Sequence, residues 1–330
     1  MNTDFCQEHK PVLLSEVIAF LNPGPGKRYI DATVGGGGHT CAILSRGGEV
    51  LGIDQDPYSI ETAQRRLISC PGVFASRYRL VLANFSKIAQ IAQEFGPPFV
   101  DGILFDLGFA SFQIDDPSRG LSFLKDGPLD MRLDPSLGVT ASDLVNSLPE
   151  KELARLFWEY GDEPNSRAIA KRIIAQRAKK PFSTTGELAE AVGGKHQRIH
   201  PATKVFQALR IAVNSEFENL KKGLGDAREL LKPGGRIAVI TFHSGEDRIV
   251  KETFKSWEKQ GLVRIVTKKV VVPEEKEVEE NPRARSGKLR VIEKVTLTAS
   301  SRTRSGNYKD RFRVRHGMTL NNDQEPICKV

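Results

Sequence analysis

Asp31, Thr33, Gly35 and Gly37 stand at alternate positions in a run that closes with four consecutive glycines, Gly35 to Gly38, and His39. The apolar stretch 29–34 leads into the run and reads as a buried strand. Glycines at its end let the backbone turn sharply and approach a ligand with no Cβ in the way. A second strand, 49–53, ends at Asp54, whose carboxylate is placed to accept hydrogen bonds from both hydroxyls of a ribose. The chemistry implied is the binding of a molecule that contains adenosine. Glycines alone do not separate dehydrogenases from methyltransferases. A dinucleotide site spaces them G-x-G-x-x-G and sets a pyrophosphate on a helix N-terminus. Here an acidic residue begins the pattern and the glycines alternate. A carboxylate at Asp31 repels a pyrophosphate but suits the cationic methionine end of S-adenosylmethionine, which favours that cofactor over NAD.

The elements that must position these residues follow in alternation. Residues 58–68 read as a helix, 78–85 as a strand, 86–95 as a helix, and 100–105 as a strand ending at Asp106. Such alternation specifies a mostly parallel sheet covered on both faces. Ligands in these sheets sit beyond the carboxyl ends of the strands. Gly35 to His39, Asp54, Phe85 and Asp106 all fall at those ends. From about 115 to 215 only helical periods occur, at 151–160, 167–177 and 185–192 among others. The α/β rhythm then resumes with a helix at 216–231 stopped by Lys232-Pro233-Gly234-Gly235. A very apolar strand at 236–242 follows, then a helix at 247–260 and strands at 262–272 and 289–298. The acidic run 274–280 reads as a solvated loop without chemistry. The expected organisation is one α/β domain built from residues 1–114 and 216–298. A helical insertion for substrate, 115–215, interrupts it, and a basic, disordered tail, 299–330, follows.

The chain has 330 residues and a formal charge of +8, which suggests a polyanionic partner. Cations concentrate in the helical middle, at Arg167, Lys171, Arg172, Arg177, Lys179, Lys180, Lys195, Arg198, Lys204 and Arg210. A second concentration is in the tail, where Tyr308 and Phe312 interleave with arginines as in segments that track single strands. Cys6, Cys41, Cys70 and Cys328 show no pair at metal-ligand spacing, so a reducing cytoplasm and no metal are expected. No apolar run is long enough to span a bilayer. The sequence leaves oligomeric state unreadable, since helix faces that dimerise look like core faces.

Several segments together resemble one family: His9 to Leu14, Gly35 to His39, Asp106-Leu107-Gly108, Asp126 to Arg132, Phe206 to Ile211, His243-Ser244 with Glu246 to Lys251, and Asn281 to Ser286. They are similar to the bacterial small-subunit rRNA cytosine-N4 methyltransferases, the RsmH or MraW family, over roughly residues 8–295. The resemblance implies a class I, Rossmann-like methyltransferase sheet with a helical insertion. It implies transfer of a methyl group from S-adenosylmethionine to N4 of a decoding-centre cytidine, position 1402 of 16S rRNA, within the small ribosomal subunit. Cofactor-binding positions carried over are Gly37, Gly38, His39, Asp54, Phe85, Asp106 and Gln113. The family follows Asp-Leu-Gly with a small aliphatic residue, two serines and a proline, whereas this chain has Phe109-Ala110-Ser111-Phe112 before Gln113. It also normally ends near residue 298, so the tail is additional.

The exocyclic amine of cytosine is a poor nucleophile because its lone pair is delocalised into the ring. Hydrogen-bond acceptors for its N–H groups favour a more pyramidal nitrogen, and the rest of the rate comes from positioning and electrostatics. Other amino-methyltransferases use an Asp/Asn-Pro-Pro-aromatic loop for this. Asp106-Leu107-Gly108-Phe109 has its acidic start and aromatic end, making Asp106 the candidate catalytic residue, with contact to the methionine end of the cofactor as its other assignment. Phe109 is a candidate to stack on a base splayed out of the RNA. His243 and Arg248 are the remaining candidates for substrate contact, His243 with helix capping as the alternative.

Overall fold

Alternate residues along each central strand face opposite sides, and this period of two builds two separate apolar layers. Tyr29, Val50, Leu104, Ala238, Ile240, Leu289 and Val291 enter one layer. Ile30, Leu51, Ile53, Ile103, Phe105, Ile237, Val239 and Ile292 enter the other. The computed structural model describes residues 10–70, 75–94, 96, 99–193 and 200–296. The expected tail, 299–330, lies outside the described residues. The strands are β1 (Arg28–Asp31), β2 (Glu49–Asp54), β3 (Tyr78–Leu82), β4 (Val100–Asp106), β5 (Leu231–Thr241), β6 (Val263–Ile265) and β7 (Lys288–Lys294). Their order in the sheet is β3-β2-β1-β4-β5-β7-β6. Neighbours from β3 to β5 run parallel, and β7 is antiparallel to both β5 and β6.

Helices α1 (Leu14–Leu21), α2 (Gly38–Leu44) and α3 (Pro57–Ser69) supply Val17, Ile43, Leu44 and Leu67 to the first layer. Helix α4 (Ile88–Glu94) supplies Ile88 and Ile91 to the second. A short helix α5 (Ser111–Asp115) follows the Asp106 loop. Then come α6 (Ala141–Ser147), α7 (Glu150–Gly161), α8 (Ser166–Arg177), α9 (Thr185–Val192) and α10 (Pro201–Asn214). These five bury a cluster of their own, with Phe157, Ile173, Leu188, Val205 and Leu209 at its centre. Helices α11 (Glu216–Leu230) and α12 (Ser244–Lys259) return to the second layer through Leu224, Val250 and Phe254, and α13 (Glu275–Glu280) precedes β7. This order, parallel but for β7, is the class I S-adenosylmethionine-dependent methyltransferase sheet.

The structure departs from the sequence expectations in several places: residues 232–235, read as a helix stop, lie within β5, and β3 ends at Leu82 short of the expected 85. Residues 274–280 are not a loop: α13 forms there, and its Glu277 carboxylate accepts the Leu13 N–H at 2.7 Å while Glu280 pairs with Lys10. Strand β6 spans three residues in place of the eleven expected, because pairing with β7 extends only from Val263 to Ile265. Cys41 and Cys70 are paired as a disulfide between α2 and the end of α3, where scattered thiols were expected. No described helix is long and apolar enough to cross a membrane.

Candidate active site

The first three strand ends and the loops after β4 and β5 enclose one cavity of about 410 Å³, within the range of small-molecule sites. Gly38, His39, Asp54, Phe85, Asp106, Phe109, Gln113 and His243 line it. Gly37 and Arg248 do not. Gly37 takes a φ of 76° immediately before α2, and a Cβ there would lie 3.1 Å from Ala63 Cα, so the residue brings the loop against α3. Arg248 is exposed and pairs with Asp162 at 3.4 Å.

Asp54 accepts from the Gly35 N–H and the Asp56 N–H, both at 2.9 Å, which ties the glycine loop to the end of β2. Burial pushes its carboxyl up to about 7, against those backbone donors, with help from the charges of Asp56 and Asp31. Asp31 does not line the cavity, contrary to the role the sequence suggested for its charge. It is buried beneath the loop, where Thr40 donates to it at 2.7 Å, and burial raises it to about 6.

Asp106 sits where β4 stops. Its N–H donates to Thr33 Oγ1 at 2.6 Å, and its Oδ1 is buried with no hydrogen-bond partner among the described residues. Burial raises this carboxyl to about 7, with Asp31 adding repulsion. His39 Nδ1 lies 3.7 Å from Asp106 Oδ2, while His39 Nε2 is 3.1 Å from the Val12 carbonyl and must be the donor there. The contact with Asp106 is then attractive when one of the two carries an additional proton. Gly108 is required after Asp106 because a Cβ there would stand 2.6 Å from the Phe242 ring.

Gln113 is buried and spent internally: it donates to Asp56 Oδ2 at 2.7 Å and accepts from the Ala110 N–H at 2.9 Å. Arg119 completes this knot with a two-pronged contact to Asp56 at 2.6 and 2.9 Å. Phe85 meets Phe105 edge to face at 5.5 Å. His243 caps α12, its Nδ1 accepting from the Glu246 N–H at 3.4 Å. Glu216, His243 and Glu246 bring ligand atoms within 4.8 Å of one another. The cap uses the Nδ1 lone pair, while Nε2, although 3.1 Å from Glu246 Oε1, is buried with no hydrogen-bond partner among the described residues. Glu216 is held by Arg210.

Several residues at the cavity were not singled out from sequence: Asn84, Asn214 and Glu216. Arg210, Glu246, Arg283 and Arg285 lay in motifs quoted above but carried no role at the site. Their signal was polar residues at helix ends, which sequence alone does not distinguish from caps. The basic middle is partly consumed by the fold. Arg177 donates to the Val145 and Leu148 carbonyls, Arg172 to Val192 O and Lys204 to Asp162 O. Lys195 and Arg198 lie outside the described residues.

The model of the MraW methylase family matches residues 6–295. A "Ribosomal RNA small subunit methyltransferase H" of Carboxydothermus hydrogenoformans is 48% identical over 310 residues, covering 88% of this chain and 98% of that one. The protein of the same name from Thermomicrobium roseum is 48% identical over 309 residues, covering 87% and 94%. Among solved structures, a putative methyltransferase from Streptococcus mutans in complex with SAH is 13% identical, with a TM-score of 0.42, covering 87% of this chain and 99% of that one.

Proposed function

Because this chain belongs to the MraW methylase family, we propose that it is the S-adenosylmethionine-dependent enzyme that methylates N4 of the decoding-centre cytidine, position 1402, of 16S rRNA in the small ribosomal subunit. The observation that carries the choice of an amine is Asp106 Oδ1: an acceptor with no hydrogen-bond partner among the described residues, on a cavity shared with the glycine loop and Asp54. A buried acceptor left unpaired costs about 1–3 kcal/mol, so it is retained where a ligand donor satisfies it. An exocyclic N–H₂ is such a donor.

The residues present fit the cofactor. Asp54 keeps unused lone pairs for ribose hydroxyls beyond its two backbone contacts, and Gly38 leaves space beside Pro11 where a Cβ would lie 3.0 Å away. When bound, S-adenosylmethionine supplies a methyl group made electrophilic by its sulfonium. In this reading Asp106 accepts a hydrogen bond from the amine and turns the nitrogen lone pair out of conjugation. The loop Leu107–Phe109, packed on Phe242, fixes the amine's position. Ionised Asp106 then receives the proton that the nitrogen sheds, a transfer suited to a carboxyl near 7. The cofactor roles of Gly37, Gly38, His39, Phe85 and Gln113, and the substrate roles of Phe109, His243 and Arg248, belong to this proposal. Gln113 and Gly37 would act by shaping the loops, and Arg248 from outside the cavity.

Incubation with labelled S-adenosylmethionine and unmethylated small subunits, followed by nucleoside mass spectrometry, tests the reading. N4-methylcytidine at the one position is expected. Label on another atom or base refutes the amine assignment, and label on protein refutes the RNA substrate.

A further inference from the structure

The guanidinium of Arg210 is fixed in the cavity wall by two contacts of different kinds. Its Nε and Nη2 fork onto Glu216 Oε1 and Oε2 at 2.8 and 2.9 Å, and its Cζ lies 4.1 Å from the centroid of the Phe109 ring. Arg210 is in the last turns of α10, and Glu216 opens α11 after Ser215 takes a left-handed φ of 49°. Asn214 locks this elbow: it donates to the Met131 and Arg210 carbonyls and accepts from the Leu133 N–H, each at 2.9 Å. Side-on pairing through Nε and Nη2 leaves Nη1 with no hydrogen bond among the described residues. Arg210, Glu216 and Phe109 all line the cavity that Asp106 lines. A guanidinium clamped this way is a donor fork oriented in advance, which an ion pair serving only the fold does not require.

We propose that Arg210, held by Glu216 and Phe109, reads the acceptor edge of the target base and thereby selects cytosine against uracil. The inference rests on the RNA-cytidine reading above. Cytosine presents an amine donor at N4 and then two acceptors, N3 and O2. Asp106 facing the donor and Arg210 facing the acceptors match that edge throughout. Uracil presents O4 to the carboxylate and N3–H to the guanidinium, so like meets like twice. Adenine keeps the amine and one acceptor but offers C–H where cytosine has O2. Phe109 serves here as the shelf for Arg210, and the ring face so covered is closed to the base. One well-aligned base contact of this type discriminates by about ten- to a hundredfold.

The test uses the full enzyme with small subunits carrying cytidine or uridine at the target position, the uridine form as competitor. Wild-type enzyme must first yield N4-methylcytidine; if it does not, the underlying reading has failed. Given that product, the cytidine subunit is expected to bind wild type about ten- to a hundredfold better than the uridine subunit. R210K keeps the charge but loses the fork, and should narrow the preference for the cytidine subunit to the part that Asp106 supplies, while S-adenosylhomocysteine affinity by calorimetry stays at the wild-type value. An unchanged preference in R210K overturns the proposal. Equal weakening toward both subunits also overturns it, because it marks a phosphate contact. If R210K loses cofactor affinity as well, E216Q decides: a narrowed preference with normal cofactor binding upholds the proposal, and an intact preference refutes it.

Discussion

Asp106 carries a carboxyl near 7 because burial and Asp31 both disfavour its charge. Replacing it with alanine removes a buried charge and leaves the β4 pairing intact, so the protein should remain folded. Single-turnover methylation should fall by about 10²-fold or more, the usual cost of losing one transition-state hydrogen-bond partner, while S-adenosylhomocysteine affinity changes little. Loss of both assigns Asp106 to the cofactor instead, and retained turnover removes it from the chemistry. Wild-type turnover on subunits should rise with pH through about 7, since the ionised form accepts the amine. A flat profile between pH 6 and 8 would contradict that role. Asp54→Ala should weaken cofactor binding tenfold or more, because hydrogen bonds to a charged acceptor contribute about 1.5–3 kcal/mol each. Unchanged affinity in calorimetry would remove Asp54 from the ribose.

Among the elements, α13 ties residues 277–280 to Lys10 and Leu13 near the start of the described chain. Glu277 accepts the N–H of Leu13, which holds a left-handed φ of 54°, a conformation that costs a residue with a Cβ about 1–2 kcal/mol. The segment so fixed, Lys10 to Val12, lines the cavity, and Val12 O positions His39. Glu277→Ala should therefore lower stability in urea by about 1–2 kcal/mol, somewhat less than a buried charged hydrogen bond because the site is half-buried. It should also weaken cofactor binding, although Glu277 does not line the cavity. Normal stability and affinity together would show that α13 is an appendage. Nothing in a run of glutamates announces this helix, since its partners lie 264 residues away.

At the scale of the whole molecule, three carboxyls are raised together: Asp31 to about 6, Asp54 and Asp106 to about 7. Between their unfolded values near 4 and those folded values, the native state binds more protons than the unfolded chain. Their contribution to stability is complete below about pH 4 and is lost as pH rises through 6 to 7. Cofactor-free protein should lose this part of its stability between pH 5 and 7.5, and ribose donors that favour ionised Asp54 should make cofactor stabilisation larger at the higher pH. Thermal unfolding with and without S-adenosylhomocysteine at both pH values checks the sign; a gain on raising pH in the free protein refutes it. The tail, with Arg302, Arg304, Lys309, Arg311, Arg313 and Arg315, is a separate matter. Truncation after residue 298 should weaken subunit binding and lower its log–log salt slope by about 0.7 to 0.9 per lost phosphate contact. Cofactor affinity should be unaffected, and an unchanged slope would mean the tail touches no phosphate.

The sequence alone was enough for the alternating elements that build the sheet and for the arrival of Gly35 to His39, Asp54 and Asp106 at its strand ends. Apolar period and glycine spacing are local, and a parallel sheet must collect its carboxyl ends on one side. Helices 150–161, 166–177 and 185–192 were legible within a residue or so for the same reason. Which polar groups remain for a ligand was not legible. Asp31 and Gln113 turned inward, Arg172 and Arg177 went to helix carbonyls, and Arg210 with Glu216 turned to the cavity. A polar side chain's partner is chosen by distance in space, and only tertiary packing decides whether that partner is a backbone carbonyl, an opposite charge, or a ligand.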